Sequence, residues 1–142
     1  MAARRTRATL AALALALVAS PALTACAEDA DAGLAVDVAA VVLADPAEAE
    51  RAIEDGAVVI DVRTPEEFGA GHLEGALNLD VSDTAGFDAA IDELDRGATY
   101  VLYCRTGNRS AAAAERMADA GFRDVRDAGA FDDLAAAGLP TS

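Results

Sequence analysis

The stretch Tyr100-Val101-Leu102-Tyr103-Cys104-Arg105-Thr106-Gly107-Asn108-Arg109-Ser110 decides how this chain folds. It begins as a short aromatic and β-branched run, the composition of a strand, and that run ends on a cysteine. A polar loop with one glycine and two arginines follows, and the alanine-rich pattern from Ser110 to Ala120 then predicts a helix. Strand, tight loop and helix N-terminus in succession leave several backbone N–H groups unpaired, aimed into one small concavity. A cysteine at the first position of such a loop meets the field of those groups and of Arg105 and Arg109, and both favour thiolate over thiol. Cys104 is therefore expected to be a reactive sulfur. The alternative is an inert buried cysteine, an environment that rarely contains two arginines at a strand-to-helix turn.

Reading outward from that stretch, strands and helices alternate. Val36 to Leu43 suits a buried strand, or a short strand and turn. Asp45-Pro46-Ala47-Glu48 supplies a cap, an N1 proline and an N3 glutamate, so a helix should run to about Asp55 and stop at Gly56. Ala57 to Val62 is a continuous apolar strand of the kind found in parallel sheets covered on both faces. Thr64-Pro65-Glu66-Glu67 repeats the capping pattern for a short helix ending near Gly69-Ala70-Gly71, and Ala76 to Leu79 is another short strand. Phe87, Ile91 and Leu94 mark an amphipathic helix from Thr84 to Leu94. Beyond Gly121, Arg123 to Arg126 reads as a weak final strand and Phe131 to Ala137 as a last helix. The βαβ spacing predicts an α/β fold with helices on both faces of a mainly parallel central sheet.

The composition narrows the function. All 11 basic residues are arginine, and the formal net charge is −14. Arg4, Arg5 and Arg7 fall in an acid-free leader, so its removal would leave 25 acidic residues and a net charge of −17. So acidic a surface repels phosphate backbones and argues against a nucleic-acid partner. The two cysteines, Cys26 and Cys104, cannot build a disulfide framework, and no CxxC or His/Cys cluster suggests a metal. No organic cofactor is called for either.

The leader has a basic start (Arg4-Arg5-Thr6-Arg7), an apolar centre (Ala8 to Val18) and a break at Ser20-Pro21, the layout of a secretory signal peptide. The uncharged run Ala8 to Ala27 is 20 residues, long enough in principle to span a bilayer, although its alanines, Thr9, Ser20 and Pro21 make it a weak anchor. Leu23-Thr24-Ala25-Cys26 resembles the lipobox of bacterial lipoprotein signal peptides. That resemblance implies cleavage before Cys26, lipid attachment at its sulfur and a membrane-anchored protein facing the extracytoplasmic side. Ordinary cleavage after Ala27 would instead release a soluble protein. The chain thus divides into a lipoprotein signal peptide (1–25), a flexible tether (26–35) and one folded domain (36–142).

Three blocks of that domain resemble the single-domain rhodanese family. The first is Val59-Ile60-Asp61-Val62-Arg63-Thr64-Pro65-Glu66-Glu67-Phe68 with Gly71-His72-Leu73-Glu74-Gly75-Ala76-Leu77-Asn78. The second is the Cys104 loop, and the third is Ala120-Gly121-Phe122-Arg123-Asp124-Val125 with the closing Ala137-Gly138-Leu139-Pro140. The resemblance implies a three-layer α/β/α fold and a thiosulfate sulfurtransferase-like enzyme in which Cys104 carries sulfur. It also implies that Arg105, Thr106, Gly107, Asn108 and Arg109 form the substrate cradle, and that Asp61, Arg63, Glu67 and His72 are structural. Ala128-Gly129 stands where the family usually has paired glycines, and Leu134 where it usually has tryptophan.

The chemistry needs little beyond an activated thiolate. Cys104 would take a sulfane sulfur from thiosulfate or a persulfide, hold it as a persulfide among the loop N–H groups, and yield it to cyanide or a thiol acceptor, which could be a protein thiol. One rival is a non-catalytic rhodanese-like module that binds a partner or senses sulfur. The other is a phosphatase or arsenate reductase. Loops of that type resemble Cys, five residues, Arg, whereas four residues separate Cys104 from Arg109, a smaller ring suited to one sulfur atom.

Overall fold

Strand β4 (Thr99–Cys104) is the axis of the molecule, and its side chains alternate between two separate cores. The computed structural model describes residues 40–142. The signal peptide, Cys26, the tether and the first part of the Val36–Leu43 run lie outside the described residues. In chain order the elements are β1 (Ala40–Leu43), α1 (Pro46–Glu54), β2 (Val58–Asp61), α2 (Pro65–Gly69), β3 (Leu77–Asn78) and α3 (Thr84–Asp92). After β4 come α4 (Asn108–Asp119), β5 (Asp124–Ala130) and α5 (Phe131–Ala136). The five-stranded sheet has the order β1-β5-β4-β2-β3, and every strand pair in it is parallel.

Tyr100, Leu102 and Cys104 of β4, with Ile60 from β2, pack with Phe87 and Ile91 of α3 and with Ala113, Ala114 and Met117 of α4. Val101 and Tyr103 point the other way, joining Val59, Ala49 and Ala52 of α1 and Leu134 of α5. A sheet buried on both faces by helices is the three-layer α/β/α arrangement, and β2 and β4 read as continuous apolar runs because neither face meets water. Small alanines on α1 and α4 let those helices lie close against the strands. Leu134, in the tryptophan position of the family, is fully buried and fills its place in the second core.

Both predicted capping boxes form. The Asp45 side chain accepts the Glu48 N–H while the Glu48 carboxylate accepts the Asp45 N–H, and Thr64 and Glu67 do the same at α2. Two strands differ from their sequence reading. The described part of the Val36–Leu43 run is an edge strand, not a buried one: Val41, Val42 and Leu43 are all exposed. The weak final strand at Arg123–Arg126 is a seven-residue interior strand, Asp124–Ala130, hydrogen-bonded to β1 on one side and β4 on the other. Its charged residues are accommodated by pairing: Arg126 reaches Asp124 at 3.1 Å, and Asp124 also accepts the Thr99 hydroxyl at 2.9 Å. Between Leu102 and Cys104 the pairing with β5 slips by one residue, so Asp127 faces Leu102 but Ala130 faces Cys104. That bulge leaves Ala128 and Gly129 beside the cysteine loop.

Candidate active site

Cys104 ends the central strand of a parallel sheet at its carboxyl edge, where α/β sheets place their sites. Its side chain follows the pleat toward the α3/α4 core, and the residue is fully buried. The chain then turns within three residues. Gly107 takes φ 90°, caps α4, and its N–H donates to the Cys104 sulfur at 3.1 Å. Helix α4 thus starts two residues earlier than the alanine pattern alone predicts, and its N-terminal dipole end lies at the sulfur.

Burial pushes the Cys104 thiol up, but hydrogen bonds push it further down. The donors are the backbone N–H groups of Ser110, Thr106 and Gly107, together with the Ser110 hydroxyl, and the net result is a thiol below its ordinary value. The Ser110 hydroxyl also lies 2.9 Å from the Gly107 carbonyl, so its single proton can serve either acceptor. Ser110 is fully buried, and its part in the site was not singled out from sequence. A buried serine in the first turn of a helix that follows a cysteine loop is the signal that could have found it.

The two arginines of the loop, whose facing the spacing leaves open, are placed differently from each other. Arg109 turns to Glu67 and forms a bidentate pair, Nη1 to Oε2 at 2.7 Å and Nη2 to Oε1 at 2.8 Å. Glu67 raises the Arg109 pKa first and foremost, and the Cys104 charge adds a smaller contribution. In return the Arg109 hydrogen bonds hold the Glu67 carboxyl at about 2. Arg105 is exposed and makes no hydrogen bond or ion pair among the described residues; Thr106 and Asn108 are exposed beside it. The field on the sulfur therefore comes chiefly from backbone donors, with Arg109 acting at longer range.

The other residues of the first block form the wall next to the loop. Asp61 and Arg63 are a buried pair: Arg63 Nε lies 3.0 Å from both Asp61 oxygens and Nη2 is 2.6 Å from Oδ2. Burial works against the Arg63 charge, but the Asp61 carboxylate outweighs it and the guanidinium is held more firmly protonated than usual. Arg63 Nη2 also donates to the Gly71 carbonyl at 2.6 Å, and the Tyr103 hydroxyl accepts the Leu73 N–H at 3.0 Å, so this pair of side chains pins the segment after α2. His72 hydrogen-bonds the Phe68 carbonyl through Nδ1 at 3.0 Å and stacks on the Phe68 ring at 3.7 Å. A carbonyl only accepts, so Nδ1 carries the proton. Its main chain exchanges two hydrogen bonds with Ser142, at 3.1 and 2.9 Å. A cleft of about 260 Å³ opens beside the loop, lined by Arg63, Glu67, Gly71, Arg105, Phe131 and Asp132 among others. Phe131 and Asp132 lie at the start of α5, and no sequence motif marked them.

Residues 45–133 match the family described as the Rhodanese-like domain. The chain is 41% identical over 80 residues to a protein named thiosulfate sulfurtransferase GlpE of Pseudomonas aeruginosa (strain LESB58), covering 56% of this chain and 70% of that one. A protein of the same name from Pseudomonas putida (strain F1) is also 41% identical over 80 residues, covering 54% of this chain and 70% of the relative. Among solved structures, a rhodanese-related protein from Thermoplasma volcanium superposes with a TM-score of 0.62 at 28% identity, over 71% of this chain and 97% of that one. A structure described as a rhodanese with anions from E. coli gives 0.53 at 29% identity, over 61% and 98%.

Proposed function

Since this chain belongs to the rhodanese-like domain family and is a rhodanese-type enzyme, we propose that it moves a sulfane sulfur through a persulfide on Cys104. The Cys104 thiolate attacks the outer sulfur of thiosulfate, the S–S bond to the sulfonate breaks, and sulfite leaves with the electron pair. An acceptor, cyanide or a thiolate, then attacks the outer sulfur of the persulfide and returns Cys104 to its thiolate. The observation that carries this reading is the 3.1 Å bond from the Gly107 N–H to the sulfur at the N-terminal end of α4. Backbone donors fixed by the loop solvate an anion with no reorganisation, which suits both the thiolate and the persulfide. Gly107, with Thr106 and Ser110, supplies those donors; Arg105 and Arg109 supply longer-range positive charge for an anionic sulfur donor, and Asn108 opens α4. Asp61, Arg63, Glu67 and His72 hold the wall around the loop. The donor, acceptor and mechanism named here rest on this site and on the likeness to the thiosulfate sulfurtransferases.

The test is intact mass of the full chain carrying Cys26→Ser, so that Cys104 is its only thiol. Thiosulfate should add one sulfur atom, cyanide should remove it with formation of thiocyanate, and Cys104→Ala should take up none. An unchanged mass, or hydrolysis of an aryl phosphate ester that depends on Cys104, would overturn the reading.

The same proposal includes location. The lipobox-like Leu23-Thr24-Ala25-Cys26 supports removal of residues 1–25, lipid attachment at Cys26, a tether through residue 35, and a domain (36–142) facing the extracytoplasmic side. Several acyl chains hold a protein at a membrane where one chain binds only weakly and reversibly. Cys26→Ser should therefore shift the protein out of its membrane-anchored mature form, and unchanged fractionation and processing would exclude the lipid anchor.

A further inference from the structure

Four polar or charged residues are buried among the described residues: Asp61, Arg63, Ser110 and Asp127. Asp61 and Arg63 neutralise each other, and Ser110 serves the cysteine loop. Asp127 has neither use. It is only 5% exposed and has no ion-pair partner among the described residues. Its Oδ1 accepts one hydrogen bond, from the Gly129 N–H at 3.1 Å. Burying a carboxylate without a cation costs free energy, and what this side chain engages in return is that single N–H.

The bond matters because of where Gly129 lies. It stands where the ladder between β5 and β4 slips, and it takes φ 76°, a left-handed value. An aspartate that accepts the N–H two residues on holds the main chain in such a turn. The next residue, Ala130, is the strand partner of Cys104 and so supports the start of the cysteine loop. Gly129 itself lies against the far end: its Cα is 3.6 Å from the point that a Cβ on Gly107 would occupy. Both ends of the loop therefore rest on two successive residues of β5. Asp127 is fixed in turn, since its carbonyl accepts the Ala44 N–H at 2.9 Å. Gly107 donates to the sulfur at 3.1 Å, and a hydrogen bond weakens steeply once its distance or angle departs from the optimum. A small shift of the support is thus felt at the sulfur.

We propose that Asp127 is a positioning residue for sulfur transfer: through the Gly129 N–H it holds the part of β5 that supports the cysteine loop, and so sets the Gly107 N–H against the Cys104 sulfur. This rests on the sulfurtransferase reading above. Asp127 acts through the loop donors, and what it contributes is an acceptor oxygen and not a charge. An asparagine keeps such an oxygen, whereas an alanine or a leucine releases the Gly129 N–H. The thiolate and the persulfide are both solvated by the donor that Asp127 aligns, so the chemical step should suffer more than the binding of thiosulfate.

The experiment compares Asp127→Ala, Asp127→Leu and Asp127→Asn in the full chain carrying Cys26→Ser. Two quantities report on the loop: the pH midpoint of Cys104 alkylation by iodoacetamide, and the saturating single-turnover rate of sulfur loading from thiosulfate, followed by intact mass. Asp127→Ala should raise the midpoint by about half a pH unit and slow loading about threefold to tenfold, the size of effect expected when one hydrogen bond is weakened. The thiosulfate concentration that gives half the saturating rate should change little. Asp127→Leu fills the buried place without a charge, so it can keep the stability that Asp127→Ala loses, yet it should show the same two shifts. Asp127→Asn should recover most of both. If Asp127→Leu is folded and keeps the parent midpoint and loading rate, Asp127 is a structural residue only and the proposal is overturned. Asp127→Asn behaving like Asp127→Leu would overturn it too, because the charge and not the acceptor oxygen would then be at work. If the parent chain takes up no sulfur from thiosulfate, the sulfurtransferase reading falls instead, and the alkylation midpoints still decide whether Asp127 sets the loop.

Discussion

Gly107 meets two demands at once: its φ of 90° closes the loop, and its N–H faces the sulfur. A Cβ there would meet only the Gly129 Cα at 3.6 Å, an ordinary contact, so an alanine is opposed by backbone conformation and not by crowding. The left-handed region costs an L-residue about 1–2 kcal/mol, and relaxing φ would rotate the N–H off the thiolate. Gly107→Ala is therefore expected to lose about 1 kcal/mol of stability and to load sulfur from thiosulfate markedly more slowly. Gly56→Ala is the control, since Gly56 has φ 97° with nothing within 4 Å of an added Cβ. It should show a similar drop in urea midpoint with loading unchanged. If both variants load equally well, the Gly107 N–H does not support the sulfur. The loop sequence made the glycine and the reactive cysteine legible, because strand, glycine and helix start follow one another within a few residues. The direction of Arg109 was not legible. Its partner Glu67 is 42 residues away, and only the fold brings them together.

That pair belongs to the scale of elements, because it ties the first turn of α2 to the first turn of α4. Glu67 also closes the α2 capping box, so one carboxylate serves both helices. Its pKa is about 2 in the folded protein, held down mainly by hydrogen bonds from Arg109, against about 4.3 for a free glutamate. A depressed carboxylate contributes fully above its unfolded value, and that contribution fades as pH falls from about 4.3 toward the folded value of about 2. Glu67→Gln keeps a group that can still cap Thr64 but removes the charge. It should cost about 1 kcal/mol at neutral pH after solvent screening of a partly exposed pair, and almost nothing near pH 2. Urea midpoints measured across that range test this, and a penalty that does not shrink with acid would assign the effect to packing. Other elements explain why sequence reading stops where it does. The strand β5 hides its interior position because Asp124, Arg126 and Asp127 break the apolar pattern; Arg126 and the Gly129 N–H pair with aspartates only two residues away, and the Thr99 hydroxyl alone reaches Asp124 from the neighbouring strand. In contrast, β2 and β4 announce themselves, since burial on both faces leaves a continuous apolar run.

At the scale of the whole molecule, an enzyme with a net charge of −14 is proposed to take up a dianion. The two length scales of the electrostatics separate with salt. At about 0.01 M ionic strength the Debye length is about 30 Å, comparable to a small domain, so an approaching thiosulfate meets the repulsion of the entire surface. At about 0.15 M it is about 8 Å, and only the groups around the cleft and loop remain in view. There the side-chain charges balance, Arg63 against Asp61, Arg109 against Glu67 and Arg105 against Asp132, which leaves the N-terminal end of α4 as the favourable field. Raising salt across this range should therefore increase kcat/KM for thiosulfate, the reverse of the behaviour expected when a substrate is steered by long-range attraction. Alkylation of Cys104 by iodoacetamide, which is neutral, provides the internal reference and should change little. If thiosulfate use instead falls with salt, attraction by the local arginines already dominates at long range. In that case Arg105→Gln should flatten the dependence, because it removes an exposed guanidinium that has no ion-pair partner among the described residues.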